Sequence, residues 1–196
     1  LDVTIVSGGY RITQRHFRFL GAGESTWRVP VRYRSESGED RIVIGAAADV
    51  PTASQSLFLN SGGDGFYRVN YPAAQLGTLA AALNRLVPAE RYTLIADAWA
   101  NVLSGDKPAQ EFIELVAALG DEQQPDVWGV ALGGLAELDR VISSDDRSAL
   151  QALVRNLVGA QVAQVGWSVA PGDSDLRRRL RGLLLRGVCN RGDDRR

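Results

Sequence analysis

The chain has no methionine, one histidine (His16), one cysteine (Cys189) and one lysine (Lys107) in 196 residues. Each scarcity excludes something. Catalytic zinc takes about three protein ligands and keeps one position open, and a lone imidazole with one distant thiol supplies no such set. His16 is followed by Phe17, Arg18 and Phe19, so the helical His-Glu-x-x-His arrangement cannot be made here. Serine is plentiful, but without a second histidine or a Gly-x-Ser-x-Gly elbow there is no hydrolase triad to read. A single cysteine forms no internal disulfide, and the apolar helical setting of Cys189 predicts a buried, inert thiol in a reducing compartment, with the cytoplasm as the expected location. No run approaches the roughly 18 apolar residues of a membrane span, and residues 1–6 lack the basic start and apolar centre of a signal peptide. With 22 basic and 23 acidic residues the net charge is -1, which gives no reason to expect nucleic acid or an anionic membrane as partner. The dominance of arginine over lysine is read as compositional bias.

What is present suffices for a core: 45% of residues are hydrophobic and the mean hydropathy is -0.10, an ordinary globular balance. The most informative segment is Gly65-Phe66-Tyr67-Arg68-Val69-Asn70-Tyr71. Phe66, Arg68 and Asn70 alternate with Tyr67, Val69 and Tyr71, a strand period. Pro72 follows, pre-set for a first helical turn, and leucines then recur at helical spacing. Upstream, residues 2–6, 10–19, 26–34, 41–44, 57–59 and 66–70 read as strands, punctuated by Gly8-Gly9, Gly21-Ala22-Gly23, Ser37-Gly38 and Gly62-Gly63. In 26–34, Trp27, Val29, Val31 and Tyr33 share one face while Arg28, Pro30, Arg32 and Arg34 share the other, so the arginines form a solvated stripe. Pro30 lacks a donor and places its strand at an edge or a bulge. Gly62-Gly63-Asp64-Gly65 precedes a strand and lacks the Lys-Ser/Thr ending of a phosphate loop, so it is a turn.

Downstream the period changes to 3.6. Leu76, Leu79, Leu83 and Leu86 form one stripe; a second helix starts at Pro88 with Leu94, Ile95, Ala98, Trp99 and Val102 inward and stops at Gly105. Helices from about Pro108, Asp126, Ser144 and Ser174 follow. The reading is an α+β fold: a small antiparallel β-sandwich over residues 1–71, then a helical-hairpin solenoid over residues 72–196.

The central string resembles the join between the small β-domain and the helical domain in zinc aminopeptidases of the aminopeptidase N family, whose members carry a similar Gly-aromatic-Tyr-Arg-Val-Asn-Tyr run. Other matches run in the same order: Gln14-Arg15-His16-Phe17; Trp27-Arg28-Val29-Pro30-Val31-Arg32-Tyr33; Arg91, Leu94, Asp97 and Ala98; Gly166-Trp167; and the helix from Leu180 to Cys189. The chain looks like an endoplasmic-reticulum-aminopeptidase-like C-terminal domain, whose helical part continues past the region matching Cys189; the resemblance therefore implies that residues 72–196 are only the start of the solenoid, truncated, with an uncapped apolar edge expected to self-associate. That resemblance implies a parent enzyme that removes N-terminal residues from peptides, with its zinc held by a His-Glu-x-x-His helix on a catalytic domain of the same polypeptide. None of that machinery is in this sequence, so the expected role is a non-catalytic scaffold that partly encloses the active-site chamber and hydrolyses nothing by itself.

Tyr67, Arg68, Asn70, Tyr71, Arg91 and Asp97 are expected to be structural, the tyrosines as core and interface anchors and Asp97 as a carboxylate that caps or pairs with a neighbouring helix. Asp97 lies six residues after Arg91, too far for a same-face pair. Arg177, Arg178, Arg179, Arg181 and Arg186 spread around the polar side of the last helix and read as solvated; by the resemblance, Arg178 and Arg181 are expected to line the chamber and attract peptide carboxylates. A separate reading is an autonomous helical-repeat scaffold that binds peptide or protein with no enzymatic role.

Overall fold

The computed structural model describes residues 1–18 and 25–191, with side chains to Cys189. Six strands come first: β1 (Asp2–Val6), β2 (Gly9–Thr13), β3 (Val29–Ser35), β4 (Gly38–Ile44), β5 (Ala47–Pro51) and β6 (Leu57–Leu59). Six helices follow: α1 (Ala73–Ala81), α2 (Pro88–Leu103), α3 (Ala109–Ala117), α4 (Pro125–Val141), α5 (Ser144–Val165) and α6 (Asp175–Arg191), with a 3-10 turn at Leu83–Arg85. Strands before helices make the class α+β. The chain divides into two compact units, Leu1–Ala118 and Leu119–Arg196.

In the first unit the strands form two three-stranded antiparallel sheets, ordered β1-β2-β5 and β4-β3-β6. Period-two alternation buries Tyr10, Ile12, Val31, Ile44 and Val50, and all three residues of β6 are buried. On the wet face of the first sheet Arg11 stands opposite Asp49, with Nε 2.8 Å from Oδ1; both are exposed, so the pair adds little. Pro30 sits on β3, the central strand of its sheet. However, β6 pairs only with Tyr33, Arg34 and Ser35, so at Pro30 the strand has one neighbour and the missing donor goes unused.

Three sequence expectations change here. The strand from Tyr10 stops at Thr13; Phe19 and the Gly21-Ala22-Gly23 turn lie outside the described residues. Trp27 precedes β3 instead of joining it and is half exposed. Its backbone is gripped from both sides by the Gln14 amide, at 2.9 and 2.6 Å, and its ring meets His16 edge-on at 5.3 Å. Residues 66–70 form no strand, only a single parallel bridge between Asp2 and Asn70. β5, with its short Ala-Ala-Asp-Val-Pro composition, carries no pattern that sequence reading would detect.

The first unit is completed by three helices. Leu76, Leu79, Leu83 and Leu86 are all buried, the last two carried past the end of α1 by the 3-10 turn. α3 packs against α1 and α2, burying Phe112, Leu115 and Val116, with the Phe112 and Trp99 rings 5.0 Å apart.

In the second unit α6 packs on α4 and α5. Its buried positions are Leu180, Arg181, Leu184 and Gly187. At Gly187 a Cβ would lie 3.1 Å from Leu132 Cδ1, so glycine lets α6 approach α4. Ser143, one residue before Ser144, closes the start of α5 by accepting from Asp146 N at 3.2 Å. Cys189 is exposed rather than buried: it lies about 140° around the helix from Leu184, off the packed face. Trp128 is fully buried and donates from Nε1 to Glu122 O at 2.9 Å. Trp128→Ala is expected to cost about 3–5 kcal/mol in urea unfolding; a loss below about 1 kcal/mol would contradict the packing described.

Candidate functional site

The segment after β6 is built around Asn60. It adopts a left-handed φ of 64°, which asparagine tolerates better than most residues. Its amide closes the loop on both sides, Oδ1 accepting from Gly65 N at 2.6 Å and Nδ2 donating to Gly65 O at 3.1 Å. Gly65 lies under the Tyr67 ring, where a Cβ would fall 2.3 Å from Cε1, so no larger residue fits. Phe66 points fully into solvent, whereas Val69 and Tyr71 are buried.

From Val69 onward successive residues bind opposite partners. Val69 gives its N–H to Asp97 Oδ2 at 3.1 Å and takes Asn101 Nδ2 on its carbonyl at 2.9 Å. Asn70 faces the other way and pairs its backbone with β1, accepting from Val3 N at 2.9 Å and donating to Leu1 O at 2.7 Å. Its side chain donates to Asp2 Oδ1 at 3.0 Å. The buried Tyr71 hydroxyl accepts from Leu59 N at 2.8 Å. The expected strand is thus replaced by a segment whose ladder partners on one side are α2 side chains, which satisfy the backbone as a neighbouring strand would.

Asp97 and Asn101 belong to a polar stripe on α2 that starts at Glu90. Seven and four residues separate the three, which puts them on one face. Glu90 is 1% exposed. It accepts from Arg34 Nη1 and Nη2 at 3.0 and 2.7 Å, from Gly62 N at 2.9 Å and from Val87 N at 3.0 Å; the last is the carboxylate half of a capping box. Burial alone would raise its pKa, but Arg34 and the two N–H groups outweigh it and hold Glu90 below the usual glutamate value.

Asp97 shows the opposite balance. Arg68 Nη1 reaches Oδ1 at 3.0 Å, yet that guanidinium is half exposed, and burial pushes Asp97 up to about 6 against the pull of Arg68 and the Val69 N–H. Tyr67, half-buried beside it, is pushed up to about 12, by burial first and the Asp97 charge second.

Among the expected site residues, the structure brings Tyr67, Arg68, Asn70, Tyr71 and Asp97 together, with Asp97 pairing to the motif segment and not to a neighbouring helix. Arg91 turns away and donates to Leu86 O at 2.5 Å. The arginine stripe on β3 is not merely solvated, since Arg34 grips Glu90 and stands 5.7 Å over the Phe58 ring, while Arg32 pairs with Asp64 at 3.2 Å. Arg178 is exposed and meets Asp175 at 3.4 Å. Arg181 is buried: it donates to Val165 O and Gly166 O at 2.8 and 3.0 Å, closing the end of α5, and to Asp173 at 2.7 Å. Sequence reading missed Glu90, Asn101 and Asn60. The first two were available as positions i-7 and i+4 from Asp97.

The two buried carboxylates lie about 10 Å apart along the helix axis, each occupied by its own guanidinium. This arrangement positions backbone and leaves neither oxygen pair free for acid/base work. The cavity beside Val69, Asn70, Tyr71 and Asn101 is about 10 Å³, room for one water at most. Among the described residues no group of three or more His, Cys, Asp or Glu could hold a metal, so the residues present do not fit a catalytic zinc.

A carboxyl whose folded pKa exceeds its unfolded one lowers stability as pH rises from about 4 to about 6, and the loss is then constant. Relative to Asp97→Asn, the wild type should therefore gain about 2–3 kcal/mol of unfolding free energy between pH 7 and pH 4. Parallel urea titrations at the two pH values measure the difference, and a gap independent of pH would contradict the burial argument.

The family model described as the ERAP1-like C-terminal domain matches residues 56–196. Among curated proteins the chain is similar to Tricorn protease-interacting factor F2 of Thermoplasma acidophilum, 22% identical over 95% of this chain and 24% of that protein. It is similar to Aminopeptidase M1-A of Oryza sativa subsp. japonica at 26% over 99% and 24%, and to Puromycin-sensitive aminopeptidase of Caenorhabditis elegans at 28% over 92% and 21%. The chain spans about a quarter of the length of these relatives. A match over most of the sequence, on a fold whose motif residues converge on one clasp, shows that this chain belongs to the ERAP1-like C-terminal domain family, the C-terminal region of aminopeptidase N family proteins.

Proposed function

We propose that the chain is the non-catalytic C-terminal portion of a zinc-dependent aminopeptidase that removes N-terminal residues from peptides in the cytoplasm. On this reading residues 1–71 act as a spacer and residues 72–196 begin a helical solenoid that scaffolds and partly encloses the active-site chamber. The zinc and the catalytic groups sit on a catalytic domain of the same polypeptide. The observation that carries the reading is the family match over residues 56–196, together with relatives whose names are those of aminopeptidases. The clasp supports it from the other side, because Tyr67, Tyr71 and Asp97 are spent on holding backbone, Arg68 on Asp97 and Asn70 on Asp2. No helix among the described residues is long and apolar enough to cross a membrane.

In the chamber, Arg178 is the cation left to meet a peptide carboxylate, since Arg181 is committed to internal carbonyls and Asp173. A lid of this kind acts by restricting entry and by opening and closing, a gating role.

The test has two arms. The polypeptide encoded together with this segment should contain His-Glu-x-x-His and release p-nitroaniline from alanine p-nitroanilide in a chelator-sensitive manner, while the 196-residue chain alone should release none. Activity of the isolated chain, or an open reading frame without that motif, would overturn the proposal; the second result would favour an autonomous binding scaffold. In the active polypeptide, Arg178→Glu should lower turnover of peptides with a free C-terminal carboxylate relative to their amides. An unchanged ratio would remove Arg178 from the chamber.

A further inference from the structure

The cavity of about 10 Å³ beside the clasp is lined by Val69 to Tyr71 of the motif, by Ala98 and Asn101 of α2, by Lys107 just before α3 and by Glu111 within it. Two of these side chains carry a buried oxygen with no hydrogen-bond partner among the described residues, Asn70 Oδ1 and Glu111 Oε2. The Asn70 amide cannot be turned to hide its oxygen. Its Nδ2 donates to Asp2 Oδ1 at 3.0 Å, and a flip would set two acceptors against each other. Glu111 is held as well: Lys107 Nζ lies 3.1 Å from Oε2, an ion pair without hydrogen-bond geometry, and donates to Oε1 at 3.5 Å. A buried acceptor left without a donor is costly.

The lining is fixed in place by Asn101. Its side chain donates to Val69 O at 2.9 Å, and its carbonyl accepts from Asp106 N and Lys107 N at 2.9 and 3.1 Å. One residue therefore sets the spacing between the motif segment and the turn that carries the lysine. Size and charge then limit what enters. A volume of about 10 Å³ matches one water-sized probe and excludes anything larger. Two acceptors call for a ligand with two donors, and the ammonium of Lys107 calls for one that also accepts. A metal cation supplies no hydrogen and would sit against that ammonium.

We infer that this cavity is a binding site for one water molecule, which donates to Asn70 Oδ1 and Glu111 Oε2 and accepts from Lys107 Nζ. The water carries the clasp beyond α2 and fastens the motif segment to α3. It also gives the chain's one lysine, among 22 basic residues, a requirement of its own. A compact ammonium leaves the space open, whereas the planar fork of a guanidinium would enter it. The site lies within the first unit and needs no hydrolysis and no other domain, so it stands or falls apart from the aminopeptidase reading.

Oxygen-17 relaxation dispersion on the 196-residue chain counts waters that stay bound for longer than the protein takes to tumble. Two substitutions are each expected to remove one such water from the wild-type count. Lys107→Arg keeps the charge and puts the guanidinium into the cavity, and Ala98→Val fills it with added methyl groups, so that one well-folded variant is enough should the other fail to fold. In 15N-labelled wild type the same water should give a nuclear Overhauser contact to the Asn70 side-chain amide. Exchanging sodium for tetramethylammonium at constant ionic strength should leave the urea midpoint unchanged. An equal water count in a folded variant, or no contact at Asn70, would overturn the inference. A midpoint that falls when sodium is withdrawn would also overturn it, by placing a metal cation at Glu111.

Discussion

The first unit depends on three polar side chains on one face of α2. Glu90, Asp97 and Asn101 reach Arg34 on β3, the loop at Gly62, and both ends of the Val69 peptide unit. The sheets are small, with strands of three to seven residues, and a unit of about 70 residues buries too little surface to be comfortably stable alone. Apolar contact supplies the bulk of the cohesion but no direction. The stripe supplies direction, since a carboxylate that has given up water is satisfied in one arrangement only. It thereby ties strands and helices α1–α3 into the compact unit ending at Ala118.

The two carboxylates of the stripe show how different neighbours bias the same chemistry. Glu90 has a two-pronged arginine and two backbone donors, enough to overcome desolvation. Asp97 has one arginine contact and one backbone donor, and burial wins. Both serve as anchors, and the patterning of the motif follows from the contacts its residues make with them. In the second unit Arg181 plays a comparable part. It belongs to an arginine cluster whose composition suggests a solvated face or a chamber wall, but it is drawn inward to close the carbonyl end of α5 and to hold Asp173.

The sequence was most legible where periodicity and punctuation agreed. Pro88 and Gly105 bracket α2 to within two residues of its ends, and the α+β order followed from the change of period at Pro72. It was less legible where side chains replace backbone. Residues 66–70 alternate as a strand does because alternate residues face two partners, but one of those partners is a helix, and period alone does not distinguish the two. Asp97 was visible as a member of a motif, and its partner was not, because 29 residues separate it from Arg68 and no local spacing reports such a contact. Cys189 was assigned to an apolar face by its neighbours, whereas the packed face is set by Leu180, Leu184 and Gly187.

Native-state hydrogen exchange on the 196-residue chain tests the role of the stripe most directly. If α2 holds the motif segment as argued, the Val69 amide, bonded to Asp97, should exchange with the same opening free energy and the same denaturant dependence as the Ile95 and Ala98 amides within α2. A Val69 amide that opens at much lower free energy, insensitive to denaturant while the helix stays protected, would show that the segment merely rests on α2 and would contradict the account.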